Sequence, residues 1–257
     1  MLPCRLIIDA LPSSGAWNMA VDESLLESAV QHNTCTVRIY RWNEATLSFG
    51  YFQPAEESAR NPRLADLPAV RRLTGGGAIV HHHEVTYSCC LPAGHPIASD
   101  PTALYGRIHA AIIGVLAEPG VAARMRGDAV SGREDLFLCF GRADRHDILI
   151  QQHKIVGSAQ RRRRGAILQH GSILLRRSEY APEYPGLSEL TRRAIPPADF
   201  DRQLGERIAA ALSQRRESGV LSEPERQLAQ QLEAGKYRRL IWERPVQKAA
   251  HRRIEAD

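Results

Sequence analysis

The sequence predicts an α+β fold: a mixed, largely antiparallel β-sheet core with packed helices. Three observations carry this expectation. Strand-like runs crowd the middle of the 257-residue chain, helical-period segments interrupt them without strict β–α alternation, and the last third turns helical.

Taken in order, Leu6-Ile7-Ile8 reads as a short strand, ended by the Pro-Ser-Ser-Gly break at 12–15. Val21, Leu25, Leu26, Ala29 and Val30 recur at helical spacing and predict an amphipathic helix to about Gln31. Thr34 to Tyr40 alternates, with Cys35, Val37 and Ile39 on one face, which predicts a half-buried strand. Thr46 to Phe49 is a further strand ending at Gly50. After the Pro/Asn/Ala-rich stretch around 54–68 come a strand into Arg72, a glycine run, and strands near 78–80 and 85–91. Leu104, Ile108, Ile112, Val115 and Leu116 mark a second helix. Short strands are expected at Asp147–Ile150, Ala166–Leu168 and Ser172–Leu175. Phe200, Leu204, Ile208 and Leu212 make a third helix, and Leu228 with Leu232 a fourth. No internal repeat or low-complexity linker divides the chain, so residues 1–257 are expected to form a single domain.

Composition narrows the class. Hydrophobic residues at 43% and charged residues at 25% are ordinary for a globular chain, and no run is long enough to span a bilayer. The start, Met1-Leu2-Pro3-Cys4-Arg5, lacks the features of a signal peptide, so a cytoplasmic location is expected. Cys4, Cys35, Cys89, Cys90 and Cys139 show neither framework spacing nor a C-x-x-C pair. The net charge of +5 favours an acidic partner, either nucleic acid or an acidic carrier protein.

Arg71-Arg72-Leu73-Thr74-Gly75-Gly76-Gly77-Ala78 is the first informative segment. Three glycines between strand-like runs let the backbone take positive φ and approach a ligand closely, and their free N–H groups could form an anion nest. A plain glycine-rich hairpin flanked by solvated arginines is the competing reading. The spacing fits neither a P-loop nor a dinucleotide fingerprint.

Together with the residues C-terminal to it, this segment resembles a known family. Arg71 to His81 and Glu84-Val85-Thr86-Tyr87-Ser88 are similar to the R-R-x-[ST]-G-G-[GR]-A-V-x-H-x-x-E-x-[TN]-Y-S signature of lipoate protein ligases and octanoyltransferases, in the biotin/lipoate protein ligase superfamily. Asn18-Met19-Ala20-Val21-Asp22 resembles the family's N-M-A-x-D, and Trp42 with Leu47-Ser48-Phe49-Gly50-Tyr51-Phe52-Gln53 its W…L-S-x-G-x-x-Q strand. Lys154-Ile155-Val156-Gly157-Ser158-Ala159-Gln160 and Leu168-Gln169-His170-Gly171-Ser172-Ile173-Leu174 resemble its K-I-x-G-S-A-Q…L-Q-H-G-S-I-L block. These ordered matches cover about residues 6–190. Lys236-Tyr237 with Trp242 and Arg244 is similar to the family's K-Y…W…R ending, within a helical C-terminal region of about 197–257.

The resemblance implies the catalytic-domain fold of that superfamily and a set of roles. Arg72, Gly75, Gly76, Gly77, His81, Gly157, Ser158, Ala159 and His170 would bind an acyl substrate in a tunnel. Lys154 would meet the acyl carbonyl, where a fixed ammonium stabilises developing negative charge. Cys139-Phe140 lies fifteen positions before Lys154, the separation found in cysteine-dependent octanoyltransferases, and the intervening segment ends alike in Asp147-Ile148-Leu149-Ile150. Cys139 would therefore be the nucleophile of an octanoyl transfer from acyl carrier protein, with no cofactor. The acceptors would be lipoyl domains of 2-oxoacid dehydrogenase E2 or the glycine cleavage H protein. His170 or His81 would assist deprotonation of the acceptor lysine.

One departure keeps an alternative open. The family's Cys-Phe is followed by Pro-Ser, whereas here the next residues are Gly141-Arg142-Ala143-Asp144-Arg145-His146. An ATP- and Mg-dependent lipoate ligase with Cys139 as bystander is that alternative; a non-catalytic nucleic-acid-binding protein on the same fold is another. His81-His82-His83 invites a metal, but two ligands two apart do not complete a site, so none is expected. Arg161 to Arg164 reads as a solvated hairpin turn, or as a docking patch for an acidic carrier. No membrane partner is expected, and nucleic acid is disfavoured because no aromatic platform accompanies the arginines.

Overall fold

The computed structural model describes residues 2–54, 61–128, 137–191 and 197–238. The described residues include two sheets and five α-helices. The strands are β1 (Cys4–Ile8), β2 (Cys35–Tyr40), β3 (Thr46–Phe49), β4 (Ala69–Arg71), β5 (Ile79–His81), β6 (Glu84–Leu91), β7 (Ala123–Met125), β8 (Ile148–Ile150), β9 (His153–Arg163), β10 (Ala166–Leu174) and β11 (Arg216–Ser218). The helices are α1 (Gly15–His32), α2 (Pro101–Ala117), α3 (Leu187–Thr191), α4 (Pro197–Leu212) and α5 (Glu223–Leu232).

Eight strands run in the order β11-β1-β2-β6-β10-β9-β8-β7, antiparallel from β2 onward and parallel at the β11-β1-β2 edge. A smaller sheet, β4-β3-β5, carries the glycine segment between β4 and β5. This is the mixed, mostly antiparallel α+β arrangement expected, with both faces of the large sheet covered. One core joins Val37, Ile39, Val85 and Tyr87 to Ile108 and Ile112 of α2 and Leu204 and Ile208 of α4. The other joins Tyr40, Trp42 and Leu168 to Met19, Leu25 and Leu26 of α1 and Ala229 of α5.

Local chemistry starts the helices where the chain signals it. Ser14 caps α1 by accepting from Trp17 N–H, and Asn33, at φ 55°, closes it in the left-handed region. Asp100 caps α2 ahead of Pro101, and Ser222 with Glu225 forms a capping box on α5.

Three expectations change. β2 is buried along its whole length rather than half-buried, because α1 covers its polar face. Arg38, 0% exposed, reaches Asp9 (2.6 Å), Asp22 (3.2 Å) and the Asn18 side chain (2.9 Å) there. The two short strands expected across 166–175 are one strand, β10, since its polar residues find partners across the sheet and on α1. The arginine run is not a solvated turn: Arg161 to Arg163 belong to β9, and the turn is Arg164-Gly165. Arg163 pairs with Glu23 (3.0 Å) and Glu27 of α1, Arg162 donates to the Ala98 carbonyl, and Arg161 stacks over Tyr51. Strands β7, β9 and β11 were not anticipated. Trp242 and Arg244 lie outside the described residues, as does most of the C-terminal region beyond Tyr237.

Candidate active site

Of the five cysteines, four are buried in the sheet and only Cys139 is partly exposed. Burial pushes the Cys89 and Cys90 thiols above their ordinary value, as expected of packing residues. Cys139 instead opens a short 3₁₀ turn, Cys139–Gly141. That turn is fastened to the glycine segment: Cys139 N–H donates to the Ala78 carbonyl (2.7 Å), and Ala78 N–H to the Phe137 carbonyl (3.0 Å).

Arg72 organises the glycine segment from beneath. Its guanidinium is 2% exposed; Nη2 donates to the carbonyls of Gly75 and Gly77 (2.7 Å each) and Nη1 to that of Ser48 (2.8 Å). Burial brings it down to about 10, while the proximity of Cys139 acts in the opposite direction. Gly76 sits at φ +92°, and a Cβ there would lie 3.0 Å from Arg72 Nη2 and 3.9 Å from Cys139 Sγ. Gly77 admits no side chain either, since a Cβ would stand 2.9 Å from the Phe137 carbonyl oxygen. Gly75 faces open space, so sterics do not demand glycine there.

Lys154 projects toward the same turn. A register shift where β8 meets β9 accompanies this placement, and the bare Gly157 makes room: a Cβ there would be 2.8 Å from Lys154 Cε. The ammonium lies 3.9 Å from Cys139 Sγ and donates to the carbonyls of Cys139 (3.1 Å) and Arg142 (3.4 Å). It also pairs with Asp147 at 2.8 Å, both side chains being under 5% exposed. Burial holds the Asp147 carboxyl above the usual range in spite of that ammonium.

A cavity with a mostly apolar lining opens beside the thiol. Arg72, Gly76, His81, Cys139, Gly157, Ser158, Ala159 and His170 line it, so most residues proposed from sequence converge on one place. Lys154, Gly75 and Gly77 do not line it; they support its wall. The Ser158 hydroxyl is committed to Tyr87 (2.8 Å) and to His109 Nε2 (2.7 Å). Met19, Tyr40, Ile79, Thr86, Gly171 and Ser172 complete the lining and were not proposed as site residues, although most lie within matched motifs.

The two cavity histidines differ in their engagement. His170 is held at both nitrogens, Nδ1 by Asp22 (3.1 Å) and Nε2 by Thr74 (2.7 Å). Burial alone would raise the Asp22 carboxyl, but His170, Arg38 and Ser88 outweigh it and keep it below the usual range. His81 stacks on Trp42 (3.8 Å between centroids, 9° between planes) and contacts Glu84 through Nδ1 (2.6 Å). Burial lowers its affinity for a second proton, against the pull of Glu84. His81 and His83 do not share a strand face, because β5 ends at His81. His82 and His83 instead lie near Glu179, with Arg176 Nη2 2.9 Å from His83 Nε2. No helix among the described residues is long and apolar enough to cross a membrane.

Residues 14–182 match the family model for the lipoyl protein ligase A/B catalytic domain. The chain is 33% identical over 251 residues to an octanoyltransferase LipM of Kyrpidia tusciae, covering 86% of this chain and 92% of that one. With an octanoyltransferase LipM of Brevibacillus brevis it shares 38% identity over 172 residues, 63% of this chain and 62% of that one. Among solved structures, a putative lipoate protein ligase from Thermoplasma acidophilum with bound lipoic acid superposes with a TM-score of 0.76 at 22% identity, covering 95% of this chain and 100% of that one. A lipoate-protein ligase A bound with ATP gives 0.75 at 23% identity, covering 95% and 99%. These last two likenesses concern the fold.

Proposed function

The chain belongs to the lipoyl protein ligase A/B catalytic-domain family, and from that premise we propose that it is an octanoyltransferase of protein lipoylation working through a thioester on Cys139. The donor is octanoyl-acyl carrier protein. The acceptor is a lysine of a lipoyl-accepting protein, a lipoyl domain of a 2-oxoacid dehydrogenase E2 or the glycine cleavage H protein.

One observation carries the reading: the only incompletely buried thiol borders a mostly apolar cavity with a buried ammonium 3.9 Å from its sulfur. In the first half-reaction the Cys139 sulfur attacks the donor thioester carbon. A new C–S bond forms, the old one breaks, and the donor thiol leaves with the proton. One thioester replaces another, so no nucleotide is needed to drive the exchange. Lys154 faces the negative charge that builds on sulfur and on the carbonyl oxygen, and the Asp147 carboxylate and two carbonyls hold its ammonium in place. Arg72 keeps the glycine segment in the conformation that leaves the cavity open.

Incubation with octanoyl-acyl carrier protein without ATP, and then intact-mass measurement, tests this. An octanoyl adduct absent from Cys139→Ser supports it. No adduct, with activity appearing only on adding ATP and free lipoate, replaces it with a ligase. The internal partners of Arg161, Arg162 and Arg163 weigh against the nucleic-acid reading.

A further inference from the structure

Making an amide from a thioester poses a proton problem that the thiol–ammonium pair leaves unsolved. The acceptor lysine arrives with three N–H hydrogens and the amide keeps one. One goes to the departing sulfur, so the remaining one needs a base. Lys154 is unsuited to this, since its ammonium is spent on Asp147, the Cys139 carbonyl and the Arg142 carbonyl. His170 is equally committed, to Asp22 at one nitrogen and Thr74 at the other.

His81 is different. Its ring is fixed between the Trp42 indole and Glu84, whose Oε1 also accepts from the hydroxyls of Thr86 and Ser172 (2.7 Å each). With Nδ1–H donated to that carboxylate, Nε2 carries the free lone pair. This nitrogen has no hydrogen-bond partner among the described residues, although the side chain is 4% exposed and lines the cavity. A buried polar atom normally has a partner, and an unpartnered one on a ring that lines the cavity is a candidate to meet the substrate there.

The ring also borders the same cavity as the Cys139 thiol. Ser172 Oγ lies 3.4 Å from His81 Nδ1, and Ser172 is the cross-strand partner of Gly157, against which Lys154 packs. We propose that His81 Nε2 is the general base of the second half-reaction, with Glu84 orienting the ring and stabilising the imidazolium. The inference rests on the acyl-enzyme reading above. Nε2 takes one proton from the lysine ammonium, and the freed lone pair attacks the thioester carbon to form the C–N bond. The C–S bond then breaks and the sulfur leaves with its electron pair. It collects the second proton from the amide nitrogen, and Nε2 returns the first to solvent.

The test separates the two half-reactions. Octanoyl-Cys139 enzyme is prepared from octanoyl-acyl carrier protein, isolated, and mixed with a lipoyl domain, for the parent and for His81→Ala and His81→Gln. General-base removal predicts an aminolysis-to-acylation rate ratio about 10²–10⁴-fold lower in both variants, with added imidazole restoring part of it in His81→Ala. A ratio equal to the parent's, or a lowered ratio on which imidazole has no effect in His81→Ala, overturns the proposal and leaves His81 a packing residue. Failure of the acyl-enzyme reading shows separately, because the parent would then form no adduct to isolate.

Discussion

Replacing Lys154 by methionine should damage rate and stability through two separable effects. The ammonium is 3.9 Å from Cys139 Sγ. A full charge on that sulfur would be attracted by about 4 kcal/mol at an effective dielectric of ~20. Asp147, 2.8 Å from the same ammonium, offsets part of this. A remaining effect of about 1–3 kcal/mol corresponds to acyl-enzyme formation slowed roughly five- to 160-fold. Stability falls because Asp147, 3% exposed, loses the nearer of its two cations and keeps only Arg126, 3.4 Å away. Breaking such a buried pair from one side costs about 3–5 kcal/mol. The cost here should sit at or below the lower end, since Asp147 keeps the Asp144 N–H (2.8 Å) and can take up a proton. Denaturant unfolding and single-turnover acylation monitored by intact mass read the two effects apart. The double variant Lys154→Met/Asp147→Asn should recover most of the stability and none of the rate. Recovery of both together would refute the reasoning, since Lys154 would then act only by holding the fold.

Gly76→Ala places a Cβ at φ +92°, which costs about 1–2 kcal/mol, and 3.0 Å from Arg72 Nη2. Acylation of Cys139 should fall at least tenfold while the melting temperature drops by only a few degrees, as a paired thermal and single-turnover measurement would show. His109 is 1% exposed, and burial, against its hydrogen bond to the His146 carbonyl, brings it down from 6.5 to about 4. The unfolded chain then binds the extra proton between those values and the folded protein does not, so stability is present above about 6.5 and is lost as pH falls toward 4. The loss attributable to this group is about 3 kcal/mol, and His109→Gln should flatten that part of a stability–pH curve.

The ordered motifs made the centre of the site legible, because each marks a backbone peculiarity the chemistry needs. Gly76 requires its positive φ, Gly157 yields space to Lys154, and Cys139 is the cysteine that escapes the core. Hidden were the relations between distant segments. Asp22 holds His170 from 148 positions away, and Glu23 and Glu27 absorb Arg163 from 140 and 136 positions away. Alternation along β2 shows two kinds of face, but not that α1 brings carboxylates to the polar one. The polar residues of β10 look like a break for the same reason: their partners, Asp22, Thr74 and Gln160, lie on other elements. Sequence patterns report local periodicity, whereas burial of a polar side chain depends on what folds over it.

The central claim is that the thioester on Cys139 is a competent intermediate, and a chase experiment addresses it directly. Isolated octanoyl-enzyme, freed of donor and nucleotide, is mixed with a lipoyl domain, and both masses are tracked in time. The account predicts that the octanoyl mass leaves the enzyme and appears on one domain lysine, one for one, at least as fast as steady-state turnover. An adduct that stays on the enzyme while the domain is modified by another route, or a transfer that waits for ATP, would contradict it.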